Sequence, residues 1–359
     1  MPVITTDSHT DFAVALDLIG SATTIIAPLV TIAADDFFAV RALLANTTLI
    51  NHGAVLAPAN DALIFPSSGG LIINASDGTI TGFQGIAFQA NDSAINFGSI
   101  WATFVGVGIG GTAALDNHGL IYSALYGVED GSSGGTTTNS GTIEGLKYGF
   151  VVDLGSPGQF TTVVNSGVLQ GGVDAIGQFS PQPGGLHLQN SGMLIGGIDI
   201  SGSSGADIIV NAGHINGAVK LGTGNDSFNG TGGTSGPIDG GLGENTITGG
   251  LGSNQFVFDT ALGPTNFDLI TNFHHHIDKI DLSQSIFTAV GPIGALKAGY
   301  RSLRANLDTS TRRPASSTIR PTDRSPTTPT AGLTHMRPIH FATLSAHLNL
   351  ASLDFVVVA

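Results

Sequence analysis

Residues 117–145 read NHGLIYSALYGVEDGSSGGTTTNSGTIEG, two copies of Asn-x-Gly with an apolar alternation behind each. The same triplet stands at Asn51, Asn96, Asn117, Asn139, Asn165, Asn190 and Asn211, with a looser copy at Asn74. Successive asparagines are 23, 22, 21, 22, 26, 25 and 21 residues apart. A period of that length, carrying period-two patterning such as Thr142-Ile143-Glu144-Gly145, predicts strands that stack coil upon coil. No single coil can bury its inward apolar row, so the core forms only by stacking, at about 4.8 Å per step. Glycine supplies turn conformations with positive φ, and asparagine tolerates the left-handed region and can bond to identical neighbours along a column. The asparagines are therefore expected to be structural, the other reading being a carbohydrate-binding ladder. The expected fold is all-β: a right-handed parallel β-helix continuing into a short parallel β-roll.

Composition narrows the function. The chain has 359 residues with 52 glycines, and charged residues make up only 11%, which is unlike an ordinary globule. A net charge of −14 repels nucleic-acid phosphates and anionic lipid, so divalent cations are the more natural partners. Cysteine is absent, which excludes disulfides, thiolate zinc sites and a cysteine nucleophile. No lysine or arginine precedes Arg41, so the basic start of a secretory signal peptide is missing. No apolar run is long enough for a membrane-spanning helix.

After the last Asn-x-Gly coil the spacing tightens. GTGNDSFNG (222–230), GGLGENTIT (240–248) and GGLGSNQFV (249–257) follow, and a similar GSSGADIIV (202–210) stands just before Asn211. Glycines permit the tight turn and aim backbone carbonyls at one point, an acidic side chain adds charged oxygen, and calcium takes six to eight such oxygens. Asp207, Asp226 and Asn245 are 19 and 19 residues apart, which predicts one column along one edge. The opposite edge, with turns at 230–236 and 249–254, has no acid at the corresponding position.

These segments resemble the hemolysin-type (RTX) calcium-binding nonapeptide GGxGxDxUx, in which U is a large apolar residue. The resemblance implies two calcium ions between three turns, contacted by Gly205, Asp207, Gly222, Gly224, Asp226, Gly241, Gly243 and Asn245. Asn245 and Asn254 stand where that family has aspartate, so their turns are expected to bind weakly. FDLITNFHHHIDKIDLS, from Phe267, resembles the segment that follows the calcium roll in serralysin-type C-terminal domains, matched at Asp268, Asp278 and Asp281 with Asn272 in place of an aspartate. The end, from His340 to Val358, resembles the same family's terminus, an uncleaved type I secretion signal. Export of an extracellular protein without an N-terminal signal peptide would follow.

Residues 298–338 carry seven of the twelve basic side chains, all arginine, among many Pro, Ser and Thr. Their composition is foreign to the rest. They are expected to be poorly ordered, the product of paired compensating frameshifts, which the nucleotide sequence would reveal. The chain then divides into an N-terminal cap with first strands (1–50, the apolar 12–44 covering the first coil), β-helix coils (51–220), a calcium roll with its flank (221–297), the foreign segment (298–338) and the signal-like end (339–359).

The function expected is a secreted calcium-binding protein of structural, adhesive or matrix type, with extracellular polysaccharide or a cell surface as further partners. The alternative is a polysaccharide-modifying lyase, hydrolase or epimerase, since β-helices host such enzymes and some alginate epimerases join one to a calcium roll. That chemistry needs converging acids or bases, yet Lys147 and Lys220 are the only cations of the coils after Arg41, and Asp153, Asp174 and Asp199 are scattered. Tyr148 is expected in a core strand. No His-Glu-x-x-His is present, the Gly131-x-Ser133-x-Gly135 match reads as a turn, and His274–His276 read as loop histidines rather than zinc ligands. No catalytic residue is assigned.

Overall fold

The computed structural model describes residues 1–359 except 21–22, 90, 132–133, 154–155, 180, 182, 289, 297–302, 308–316, 322–339, 345–347 and 349, and describes 303–307 and 317–321 by their backbone alone. The chain is a parallel β-solenoid of about 12 turns. One sheet has 16 strands, and no helix among the described residues is long and apolar enough to cross a membrane.

The repeat read in the sequence is the coil of the solenoid. Leu71–Asn74 pairs in register with Thr48–Asn51 on one side and Ser93–Asn96 on the other, and the pattern continues to Ile208–Asn211. Alternate residues of each strand point inward, so Leu49, Ile72 and Ala94 form one buried file. A second file runs Val55, Ile80, Ile100, Ile121, Ile143, and a third Leu63, Ile86, Val107, Val128, Phe150. The solenoid is thus three-sided in cross-section through the Asn-x-Gly coils, with an apolar row from each side meeting at the centre.

The asparagines close one corner. Each Nδ2 donates to the Oδ1 of the next, from Asn51 through Asn74, Asn96, Asn117, Asn139, Asn165 and Asn190 to Asn211, at 2.7–2.9 Å. All eight are buried. Every bond runs in the same sense, so the amides polarise one another along the column.

The middle file ends at Ile215, whose strand pairs only with the coil before it, followed by a single bridge from His214 to Thr234. One face is lost there. This is why the repeat shortens to 19 residues, the spacing of Asp207, Asp226 and Asn245, while the other two sheets run on unbroken.

The C-terminal segments complete the last coil. Ala342–Leu344 pairs in parallel with Phe267–Ile270, and Phe355–Val358 with Lys279–Ser283. Antiparallel strands then cover both edges: Ser317–Pro321 lies on Ala342–Leu344, Leu303–Leu307 on Ser317–Pro321, and Gly294–Ala295 on Phe355–Val358. Reversal of strand direction ends the parallel stack. Most of the foreign segment 298–338 lies outside the described residues. At the other end, Val3–Ile4, Ser8–Thr10 and Leu16–Leu18 form the first coil, paired in parallel with the second.

Candidate calcium turns

The 19-residue coils place the sequence-predicted residues in one stack. Ile208 pairs with Ser227 and Ser227 with Thr246, so Asp207, Asp226 and Asn245 stand one above another just before their strands. All three side chains are turned inward and buried. Asp207 Oδ1 accepts the Leu186 amide at 2.6 Å, Asp226 Oδ1 the Asp207 amide at 2.8 Å, and Asn245 Oδ1 the Asp226 amide at 2.9 Å.

The glycines shape the turns beside this stack. Gly222, Gly224, Gly241 and Gly243 have φ of +105°, +152°, +77° and +139°, a region that side-chain-bearing residues rarely enter. A Cβ on Gly224 would lie 2.3 Å from Gly205 O and 3.0 Å from Asp226 Oδ1, and one on Gly243 would lie 1.6 Å from Gly224 O. The carbonyls of Gly205 and Gly224 therefore point along the axis into space that glycine leaves free, with a carboxylate at its border. Among the described residues no hydrogen bond ends on either carbonyl. The Gly222 carbonyl differs, because it accepts the Leu242 amide at 2.7 Å, and Gly241 O accepts the Thr260 hydroxyl at 3.1 Å.

Two carboxylate oxygens, Asp207 Oδ2 and Asp226 Oδ2, are buried with no hydrogen-bond partner. Burial pushes the Asp207 carboxyl up to about 7, with help from the neighbouring Asp226 charge and against the Leu186 amide and the nearby Ser203 hydroxyl, which lower it. Burial likewise pushes Asp226 up to about 6. Buried carboxylates of this kind need a proton or a cation. The residues fit a hard divalent ion in their chemistry, since the unbonded groups along this stack are carbonyl and carboxylate oxygens of the kind such an ion takes.

Asn245 is differently placed. Its Oδ1 is engaged, and its Nδ2 donates to Asp268 Oδ1 at 2.8 Å. Asp268, in register with Asn245, extends the column by a fourth coil, and burial pushes its carboxyl up to about 7. The 19-residue spacing of the sequence does not place Asp268 in the column. The signal was an acid immediately before an x-apolar-x strand, as at Asp226-Ser227-Phe228, hidden by a spacing of 23 instead of 19. Asp268 also borders a small space lined by Gly241, Asn266 and Phe341.

The opposite edge has acids one and two coils beyond Asn254. Asp278 Oδ1 accepts the Asn254 amide and side-chain Nδ2 at 2.8 and 2.9 Å, and its Oδ2 accepts the His274 amide at 2.7 Å. Asp354 accepts the Ala351 and His276 amides and His275 Nδ1 at 2.6, 2.9 and 2.7 Å. These donors, with the nearby His275 charge, outweigh burial and hold Asp354 below the usual carboxylate range. Such carboxylates are fully engaged as turn braces, and His275 ties the turn to the C-terminal strand.

Other residues singled out in the sequence stay apart from the stack. Tyr148 lies half-buried on the outer face, 6.0 Å from Tyr126 between ring centroids, with Lys147 Nζ 5.0 Å above its ring. Asp199 pairs with Lys220 at 3.4 Å, and Asp174 follows Tyr148 in register. Ser133 lies outside the described residues. Near the first coil, exposed His9 pairs with Asp35 at 3.3 Å and Asp11 at 3.6 Å. No protein-family model matches the chain. No curated protein matches it.

Proposed function

We propose that this protein is a secreted β-solenoid scaffold of structural, adhesive or matrix type whose glycine turns are set by calcium. The observation that carries this reading is the pair of buried, unbonded oxygens, Asp207 Oδ2 and Asp226 Oδ2, beside the free carbonyls of Gly205 and Gly224. Leaving such groups unpaired in a folded interior costs about 1–3 kcal/mol each, and more when charged. A divalent ion between the coils offsets that cost and cancels the repulsion between the carboxylates.

The reading explains where such a protein works. At extracellular calcium near a millimolar and a dissociation constant of about 0.1 mM, each occupied site contributes about 1.4 kcal/mol. Cytosolic calcium is far too dilute to contribute, so the roll firms up only outside the cell. RTX-type repeats and export by a type I route belong to the same proposal, which rests for them on the motif resemblance.

Titration calorimetry on the full chain tests it, with calcium and then magnesium as titrants. Calcium uptake in the sub-millimolar range, abolished in the Asp207→Asn, Asp226→Asn double variant, is the expected result. Absence of uptake by the parent protein at millimolar calcium overturns the proposal.

A further inference from the structure

A different observation lies on the outer face of the Asn-x-Gly coils, well before the calcium turns. Thr81, Trp101, Tyr122, Glu144 and Gln170 follow one another in register on five successive coils. Their inward neighbours are the buried file Ile80 to Leu169, so alternation turns this column outward. Trp101 is the only tryptophan in the chain, and it is 43% exposed. A large aromatic left in water on a rigid sheet is more informative than any buried one.

Ring geometry separates the Trp101–Tyr122 pair from two stacked aromatic pairs on the same coils. Phe83 stacks on Phe104 at 5.0 Å with planes 5° apart, and Tyr126 lies over Tyr148 with planes 11° apart. Those rings turn their faces to each other. Trp101 and Tyr122 are 5.2 Å apart but tilted by 47°, and the residue before Trp101 in the column is the small Thr81, so the exposed indole has no parallel ring stacked on it in this column. Directly below, Gln170 Nε2 donates to Glu144 Oε1 at 3.4 Å, a long bond that leaves carboxylate and amide groups available to hydroxyls.

We infer that the Trp101–Tyr122–Glu144–Gln170 column is a binding platform for a neutral polysaccharide lying along the solenoid axis. The apolar C–H face of a pyranose suits the electron-rich face of an aromatic ring, and Glu144 with Gln170 suits the hydroxyls at its edge. Coils succeed one another at about 4.8 Å, close to the length of one sugar unit in an extended chain, so successive units meet successive side chains.

Charge selects a neutral glycan over an acidic one. Among the described residues the lysine and arginine head groups are committed elsewhere: Arg41 to Asp17 at 2.8 Å, Lys220 to Asp199, Lys279 to the Leu353 carbonyl at 2.8 Å, and Lys147 to the Tyr126 and Tyr148 rings. The platform itself carries Glu144, and the chain carries −14. A polyanion finds repulsion there.

Native affinity electrophoresis tests this in gels cast with hydroxyethylcellulose, glucomannan or laminarin, and in parallel with alginate or polygalacturonate, all with calcium present. Retardation is expected in at least one neutral gel, with affinity falling at least fivefold in Trp101→Ala and in Glu144→Ala. Phe97→Ala, at an exposed ring stacked on His118 in the turn before the Trp101 strand, should leave it unchanged. Tyr122→Ala supplies the same readout if Trp101→Ala does not fold. Lack of retardation in every neutral gel, retardation by the polyanions alone, insensitivity to Trp101 and Glu144, or a Trp101-dependent dimer in ultracentrifugation overturns the inference. Calcium uptake is measured separately, so this platform and the calcium turns stand or fall independently.

Discussion

Asp226 Oδ1 accepts the backbone amide of Asp207 at 2.8 Å, while Asp226 Oδ2 stays buried without a partner. One oxygen of the carboxylate thus holds adjacent coils in register, and the other makes no hydrogen bond. The two oxygens respond to mutation in opposite ways. Asp226→Asn keeps the acceptor that binds Asp207 but removes the charge. Its calcium-free stability at pH 8 should equal or exceed the parent's, and the calcium-induced gain should drop by about 1.4 kcal/mol per lost site. Urea unfolding with calcium and with chelator measures both.

Asn245→Asp is the converse. Asn245 Nδ2 donates to Asp268 Oδ1 at 2.8 Å, so the aspartate would face another buried carboxylate. Without calcium this variant should be less stable than the parent. With calcium it should bind roughly tenfold more tightly, since charge count sets affinity in such sites, and calorimetry reads the difference.

Proton and calcium should compete at these turns. Asp207 is pushed up to about 7 and Asp226 to about 6, chiefly by burial, whereas an unfolded aspartate titrates near ~3.9. Between those values the folded chain holds protons that the unfolded chain has released, so calcium-free stability falls as pH rises from about 4 through 7. Calcium affinity runs the other way, strengthening from pH 5 to pH 8 as the carboxyls ionise. Unfolding midpoints across that range, with and without calcium, should diverge with rising pH. Parallel curves would contradict the assignment.

Much of this architecture is legible in the sequence because a solenoid writes each long-range contact as a local repeat. Asn117 and Asn139 are bonded at 2.8 Å, and their 22-residue spacing announces it. The stack of Asp207, Asp226 and Asn245 is legible for the same reason. What lacks a fixed period is not. Val105, Tyr126 and Val151 form a second apolar cluster on the outer face, closed in part by Phe179, 4.7 Å from the Tyr126 ring. Period-two alternation assigns outward positions to solvent and cannot foresee a side chain folding back from a later coil. Asp354 escaped for a related reason: its partner His275 is 79 residues away, across a segment of unrelated composition.

The glycine turns should be intolerant of side chains in a graded way. Gly243 has φ of +139° and a Cβ there would sit 1.6 Å from Gly224 O, so Gly243→Ala combines backbone strain with a backbone clash. A loss of about 2 kcal/mol or more is expected, together with loss of calcium uptake. Gly252 has φ of +81° with nothing within 4 Å of its Cβ position, so Gly252→Ala should cost only the conformational strain, about 1 kcal/mol. Equal losses in the two variants would mean that the space beside Gly224 O has no special role.

The asparagine column gives the last prediction, away from the glycine turns. Asn117 sits mid-column: its Oδ1 accepts Asn96 Nδ2 at 2.7 Å, and its Nδ2 donates to Asn139 Oδ1 and to the Thr142 carbonyl at 3.1 Å. Asn117→Ala removes both column bonds and leaves groups on two neighbours in a site that water does not reach, at about 1–3 kcal/mol for each orphaned group. Asn211 ends the column, with Asn190 on one side and only the Thr234 carbonyl on the other, so Asn211→Ala orphans one asparagine instead of two. The mid-column variant should therefore lose roughly twice as much stability in urea as the terminal one, with calcium uptake intact in Asn117→Ala because coils 205–245 keep their own bonds. Loss of uptake in that variant would show that the coils and the roll fold as one cooperative unit, coupled through the sheets they share.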